Sequence, residues 1–137
     1  MKYLKVYESF FPREKHFKNL CWYNAKLNEI LPESDIYQYV EQLHDNEDFI
    51  DGDISDRIES FSEYQLKEID ISDIDFDEFY LNQYKVDEFK EEYQKIGDYP
   101  PIVLEDNLRI IDGTHRVNAL NDLGVKKVKA WIGIKSN

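Results

Sequence analysis

A single cysteine, Cys21, stands in the 137 residues of the chain, which excludes an internal disulfide and a cysteine-based zinc site. Its neighbours Leu20 and Trp22 point to a buried thiol rather than a reactive one. Long apolar runs are missing too: none approaches the roughly 20 residues that a membrane-spanning helix needs. The opening Met1-Lys2-Tyr3-Leu4-Lys5 lacks the apolar centre of a signal peptide, so a cytoplasmic protein is the expectation. Basic residues are in deficit, with 17 Lys and Arg against 29 Asp and Glu. The deficit is local. Residues 1–20 carry five basic against two acidic groups, residues 21–100 six against twenty-three, and residues 101–137 six against four. An acidic centre of that kind repels phosphate backbones, so direct nucleic-acid binding is not expected there and a basic protein is the partner it would attract.

What the chain does have is enough apolar matter for one core. Hydrophobic residues make up 42% and aromatic residues 15%, mostly Tyr and Phe, which fits one compact unit and does not fit a disordered chain. Tyr3 to Tyr7 reads as a short strand, and Trp22 to Leu31 as a helix ending at Pro32. Ser34 is placed to cap a helix over Asp35 to His44, with Ile36, Val40 and Leu43 on one face. Asn46 to Asp56 reads as an acidic loop. Its Asp51, Asp53 and Ser55 alternate as calcium ligands do, but Gly52 comes too early and Glu59 is misplaced for loop closure, which favours a solvated loop. Glu68 to Tyr80 alternates apolar with acidic residues, the two-residue period of a strand in its early part. Val86, Phe89, Tyr93 and Ile96 form a helical stripe stopped by Gly97.

The densest chemistry lies between Pro100 and Gly133. Ile102-Val103-Leu104 and Leu108-Arg109-Ile110-Ile111 read as strands joined by the Asp106-Asn107 turn. The chain then passes through Asp112-Gly113-Thr114-His115-Arg116 into a helix from Arg116 to Leu123, stopped by Gly124, and a final strand. Strand, tight turn and helix make an anion site, because amides at a helix start lack intrahelical acceptors and carry the positive end of the dipole. Gly113 allows close backbone approach. Arg116 offers a planar fork, Thr114 a hydroxyl, His115 a group that titrates near neutrality, and Asp112 a carboxylate for a metal or for orienting His115. The bland alternative is that Asp112 or Thr114 caps the helix, His115 is surface-exposed and Arg116 pairs with an acidic neighbour.

The run IIDGTHRVNALNDLG, after an apolar strand that follows proline and before the strand VKAWIG, resembles the core of the ParB N-terminal domain and sulfiredoxin superfamily. The resemblance reaches upstream to about Tyr64, with Tyr64 to Ile74 as the opening strand and Val86 to Ile96 as the next helix. It implies an α/β (α+β) core with a small mixed sheet over residues 64–137, preceded by a mainly helical extension over residues 1–63. It also implies a bound nucleotide, ATP or CTP, with its phosphates on Asp112, Gly113, Thr114, His115 and Arg116. Magnesium would join the phosphates to Asp112, and His115 with an acid such as Asp73 or Asp75 would be catalytic. Sulfiredoxins place their reactive cysteine where Thr114 stands, so their repair chemistry does not carry over. Partition proteins have a second arginine where this chain has His115, and a partition clamp is not expected. Three functions follow: a nucleotide-dependent phosphotransferase or hydrolase; an acidic interaction protein or nucleic-acid mimic of the phage-inhibitor type; and a nuclease, which the charge distribution opposes.

Overall fold

Residues 25–44, 52–76 and 81–135 are described by the structure, a computed structural model. The expected strand at Tyr3 to Tyr7, Cys21 and Asp51 lie outside these residues. One five-stranded mixed sheet runs in the order β1-β2-β5-β3-β4, formed by β1 (Ile30–Pro32), β2 (Glu63–Asp70), β3 (Ile102–Leu104), β4 (Ile110–Asp112) and β5 (Lys127–Ile134). The helices are α1 (Glu33–Leu43), α2 (Gly52–Glu59), α3 (Gln83–Ile96) and α4 (Thr114–Asp122), with a 3-10 turn at Ile71–Asp73. The fold is α+β. Strand β5 is its axis, antiparallel to β2 from Glu63↔Ile134 to Asp70↔Lys127 and parallel to β3. Buried between neighbours, β3 is apolar at every position, as a central strand requires. Helix α4 carries the chain back from β4 to β5. No helix of the described residues is long and apolar enough to cross a membrane.

Several boundaries differ from the sequence expectation, each for a local reason. Residues 25–32 are not helical. Asn28 adopts φ 75, its amide donates to the Leu66 carbonyl at 2.7 Å, and β1 pairs with β2. Helix α1 starts one residue before Ser34, directly after the extended Pro32, and has no side-chain cap. Asp53 and Ser55 lie in α2 rather than in a loop, because Ile54 and Ile58 face the core at helical spacing. Strand β2 ends at Asp70, where Ile71 turns inward, and the second hairpin strand includes Asp112. Helix α4 begins directly after Gly113.

The core draws on every layer. Ile36, Tyr39 and Val40 of α1, Ile58 of α2, Leu66 of β2, Phe89 of α3, Ile102 of β3, Leu120 of α4 and Trp131 of β5 are all buried in one cluster. Glu92 is the exception among them. It is 1% exposed, and neither carboxylate oxygen has a hydrogen-bond partner among the described residues. Burial pushes its carboxyl above the ordinary 4.5, Lys95 opposes this, and Glu88 and Glu91 add to it. A value raised in the folded state means stability that is lost as pH rises through it. Glu92→Gln is therefore expected to stabilise the protein at pH 7 by about 1–2 kcal/mol. The gain should shrink toward pH 4, which thermal melts at the two pH values would show. A melting temperature at pH 7 that is unchanged or lower would reveal a counter-charge on Glu92.

Candidate functional site

Gly113 joins β4 to α4 with φ 111, a conformation that glycine adopts and side-chain-bearing residues avoid. It is also tightly enclosed. A Cβ at this position would lie 2.5 Å from Ile102 Cγ2 and 3.0 Å from Arg116 Nη2. The backbone of the turn is thus pressed onto β3 while the amides of Thr114, His115 and Arg116 point out of the helix start without an intrahelical acceptor. The first amide bonded within the helix is Val117, which donates to the Gly113 carbonyl at 2.9 Å.

Behind the turn lies a buried polar brace. Arg116, 8% exposed, donates from Nη2 to Asp112 Oδ2 at 2.9 Å and from Nη1 to the Pro100 and Pro101 carbonyls at 3.0 and 3.3 Å. The Tyr39 hydroxyl donates to the Pro101 carbonyl at 2.6 Å. His44, which follows α1, donates from Nε2 to Asp112 Oδ1 at 3.0 Å. Burial by itself would raise the Asp112 carboxyl, but the His44 hydrogen bond and the Arg116 charge outweigh it and hold the carboxyl below its ordinary range. Both Asp112 oxygens are engaged from inside the fold. Each oxygen keeps a further lone pair, and no group of three or more metal-ligating side chains occurs among the described residues.

The five residues singled out in the sequence thus divide. Asp112 and Arg116 face inward, as the alternative of an acidic partner for Arg116 implies, whereas Gly113, Thr114 and His115 are partly exposed. His115 Nε2 accepts a hydrogen bond from the Asn82 amide at 3.1 Å. An amide can only donate, so this nitrogen is the unprotonated one and its lone pair is already used. Asn82 also caps α3, its Oδ1 accepting from the Tyr84 and Lys85 amides at 3.0 and 3.3 Å. The starts of α3 and α4 therefore meet at Asn82 and His115.

Asp73 and Asp75 are exposed. The Asp75 backbone bridges Arg109 in parallel register, and its amide donates to the Leu108 carbonyl at 3.0 Å. That is the far end of β4 from the turn, about 10 Å away along a strand. Asp73 lies still further back along the chain. His44 and Tyr39 are the site residues that sequence reasoning missed, being 68 and 62 residues from their partners.

Charge sets α4 apart from the other helices. In the first turn of α1 stand Glu33 and Asp35, in that of α2 Asp53, and α3 has its Asn82 cap. Helix α4 has neither an acid in its first turn nor a side chain at its N-cap. In a chain of net charge −12, its positive end is the one left for a negative group from outside.

These features define an α+β protein with a braced strand–turn–helix element at one margin of a mixed sheet. No family model matches the chain, and no curated protein matches it. Among solved structures it is similar to a Pnob8-like ParB N-domain, with 19% identity and a TM-score of 0.46 over 53% of this chain and 31% of that one. It is similar to sulfiredoxin from Arabidopsis thaliana, with 23% identity and a TM-score of 0.47 over 52% of this chain and 86% of that one. A further pNOB8-like ParB N-domain gives 22% identity and a TM-score of 0.42 over 50% of this chain and 27% of that one. The chain spans less than a third of the length of either ParB N-domain structure.

Proposed function

We propose that this protein binds a nucleoside triphosphate through its phosphates at the first turn of α4, and that its chemistry is phosphotransfer or hydrolysis. The observation that carries the reading is the start of α4, which alone among the described α-helices has neither an acidic residue nor a side-chain cap. The amides of Thr114 to Arg116, with the Thr114 hydroxyl, supply the donors. His115 holds the two helix starts together, and the buried Asp112–Arg116 pair fixes the turn rather than touching the ligand. Positioning and charge compensation are what such a site contributes to phosphoryl chemistry. Magnesium belongs to this reading as an ion chelated chiefly by the nucleotide's own phosphates, because both Asp112 oxygens already accept a bond from inside the fold.

A test must separate binding from folding, and Thr114→Asp does so. A carboxylate in the first turn of α4 complements the dipole and should leave the melting temperature equal or slightly higher, by about 0.3–1 kcal/mol of stability. The same carboxylate occupies the phosphate position, so affinity for ATP or CTP with magnesium should fall at least about tenfold, some 1.4 kcal/mol. Calorimetric titration of both proteins checks this. Equal affinity in the variant, or no binding to the wild type, would sink the assignment.

A further inference from the structure

Exposed large apolar side chains are few among the described residues, and they are unevenly placed. Phe76, Leu81 and Tyr84, exposed by 40%, 37% and 74%, fall within nine positions of one another, with Leu27 and Ile30 as the others. Tyr84 is the most exposed of the set. It stands in the first turn of α3, and two hydrogen bonds tie it to the start of α4. Its amide donates to Asn82 Oδ1, and the Asn82 amide donates to His115 Nε2. The buried stripe of α3 runs through Val86 and Phe89. Two positions before Val86, or about 200° around the helix, Tyr84 projects away from that stripe.

We infer that Tyr84 is the platform on which the base of the bound nucleotide stacks; this rests on the phosphate reading given above. A nucleotide is an anion at one end and an aromatic ring at the other. The structure links an acid-free helix start, through Asn82, to the backbone of a residue whose phenol ring is exposed, in a chain whose other large aromatic side chains are mostly buried or part-buried among the described residues. The capped amide of Tyr84 fixes its backbone, so a base would meet a ring with only two side-chain torsions left to settle. Stacking needs no hydrogen-bond pattern from the base, so an exposed ring is enough to supply it.

The experiment compares ATP with inorganic tripolyphosphate, which has the phosphates and lacks the base, on wild type, Tyr84→Ala and Tyr84→Trp. Wild type is expected to bind ATP about tenfold or more tightly than tripolyphosphate. Tyr84→Ala should lose that preference and keep its tripolyphosphate affinity, and Tyr84→Trp should retain the preference. Binding of tripolyphosphate with no preference for ATP, or a preference that survives in Tyr84→Ala, overturns the stacking role and leaves the phosphate site standing. Failure of wild type to bind either compound overturns both.

Discussion

Arg116→Ala is expected to cost about 3–5 kcal/mol of folding stability, the range seen when one partner of a buried ion pair is removed. The side chain is 8% exposed and satisfies three acceptors: Asp112 Oδ2 and the carbonyls of Pro100 and Pro101. Truncation leaves the Pro100 carbonyl without this donor and a carboxylate whose remaining support is His44, in a region too buried for water to replace what is lost. Against a typical total of about 5–15 kcal/mol, this is a large fraction. Urea unfolding should show a much lower midpoint, and thermal melting a fall of about 10–20 °C. Arg116→Lys keeps the charge but not the fork that spans carboxylate and carbonyls, so it should recover only part of the loss. The difference between wild type and Arg116→Ala should narrow in acid. Asp112 is depressed in the folded state, so the stability it lends is present above its unfolded value of about 4 and disappears as pH falls through the folded value. An Arg116→Ala protein as stable as wild type would show that the brace is not under tension from both sides. Loss of nucleotide affinity in that variant would report unfolding, which is why the binding test is placed at Thr114.

Gly113→Ala should be comparably damaging, for steric rather than electrostatic reasons. The added methyl would meet Ile102 Cγ2 at 2.5 Å and Ile102 Cβ at 2.8 Å, with Arg116 Nη2 at 3.0 Å. None of these can withdraw freely, because Ile102 is fully buried in β3 and Arg116 is held at three points. Backbone strain at φ 111 adds about 1–3 kcal/mol and overpacking another 1–3 kcal/mol. Gly124 supplies the control. It also has a positive φ, of 85, but a Cβ there meets nothing within 4 Å, so Gly124→Ala carries the strain alone and should cost about 1 kcal/mol. Equal costs at the two positions, measured by urea denaturation, would mean that β3 yields to the turn.

Elements with a local pattern were legible in the sequence. The stripe Val86, Phe89, Tyr93, Ile96 with Gly97 behind it is α3, and the apolar run Ile102 to Leu104 is β3. Strand β1 was not legible, because three residues have no period of their own and Ile30–Pro32 becomes a strand only through its pairing with β2. Helix α2 was hidden by Asp53 and Asp56, which made the segment read as a loop although Ile54 and Ile58 already stood four apart. At the site, the residue types of the DGTHR turn were visible but their directions were not. Asp112 and Arg116 are also four apart, a spacing that suits an internal pair as well as it suits two hands on a phosphate. Burial decided between these, and burial depends on Pro100, Pro101, Tyr39 and His44 arriving from elsewhere.

The bonds from Tyr39 to Pro101 and from His44 to Asp112 close loops of 62 and 68 residues. Closing loops of that size means surrendering chain entropy before the contacts can return anything, so such contacts form late on the way to the native state. The hairpin of β3 and β4 and the helix after it can form from neighbouring residues alone. The share of the brace that Tyr39 and His44 supply cannot, and it is completed only when the first half of the chain has docked. The turn therefore matures at the end of folding: a partly folded molecule would present the peptide amides of the anion site without the fixed geometry that makes them a site.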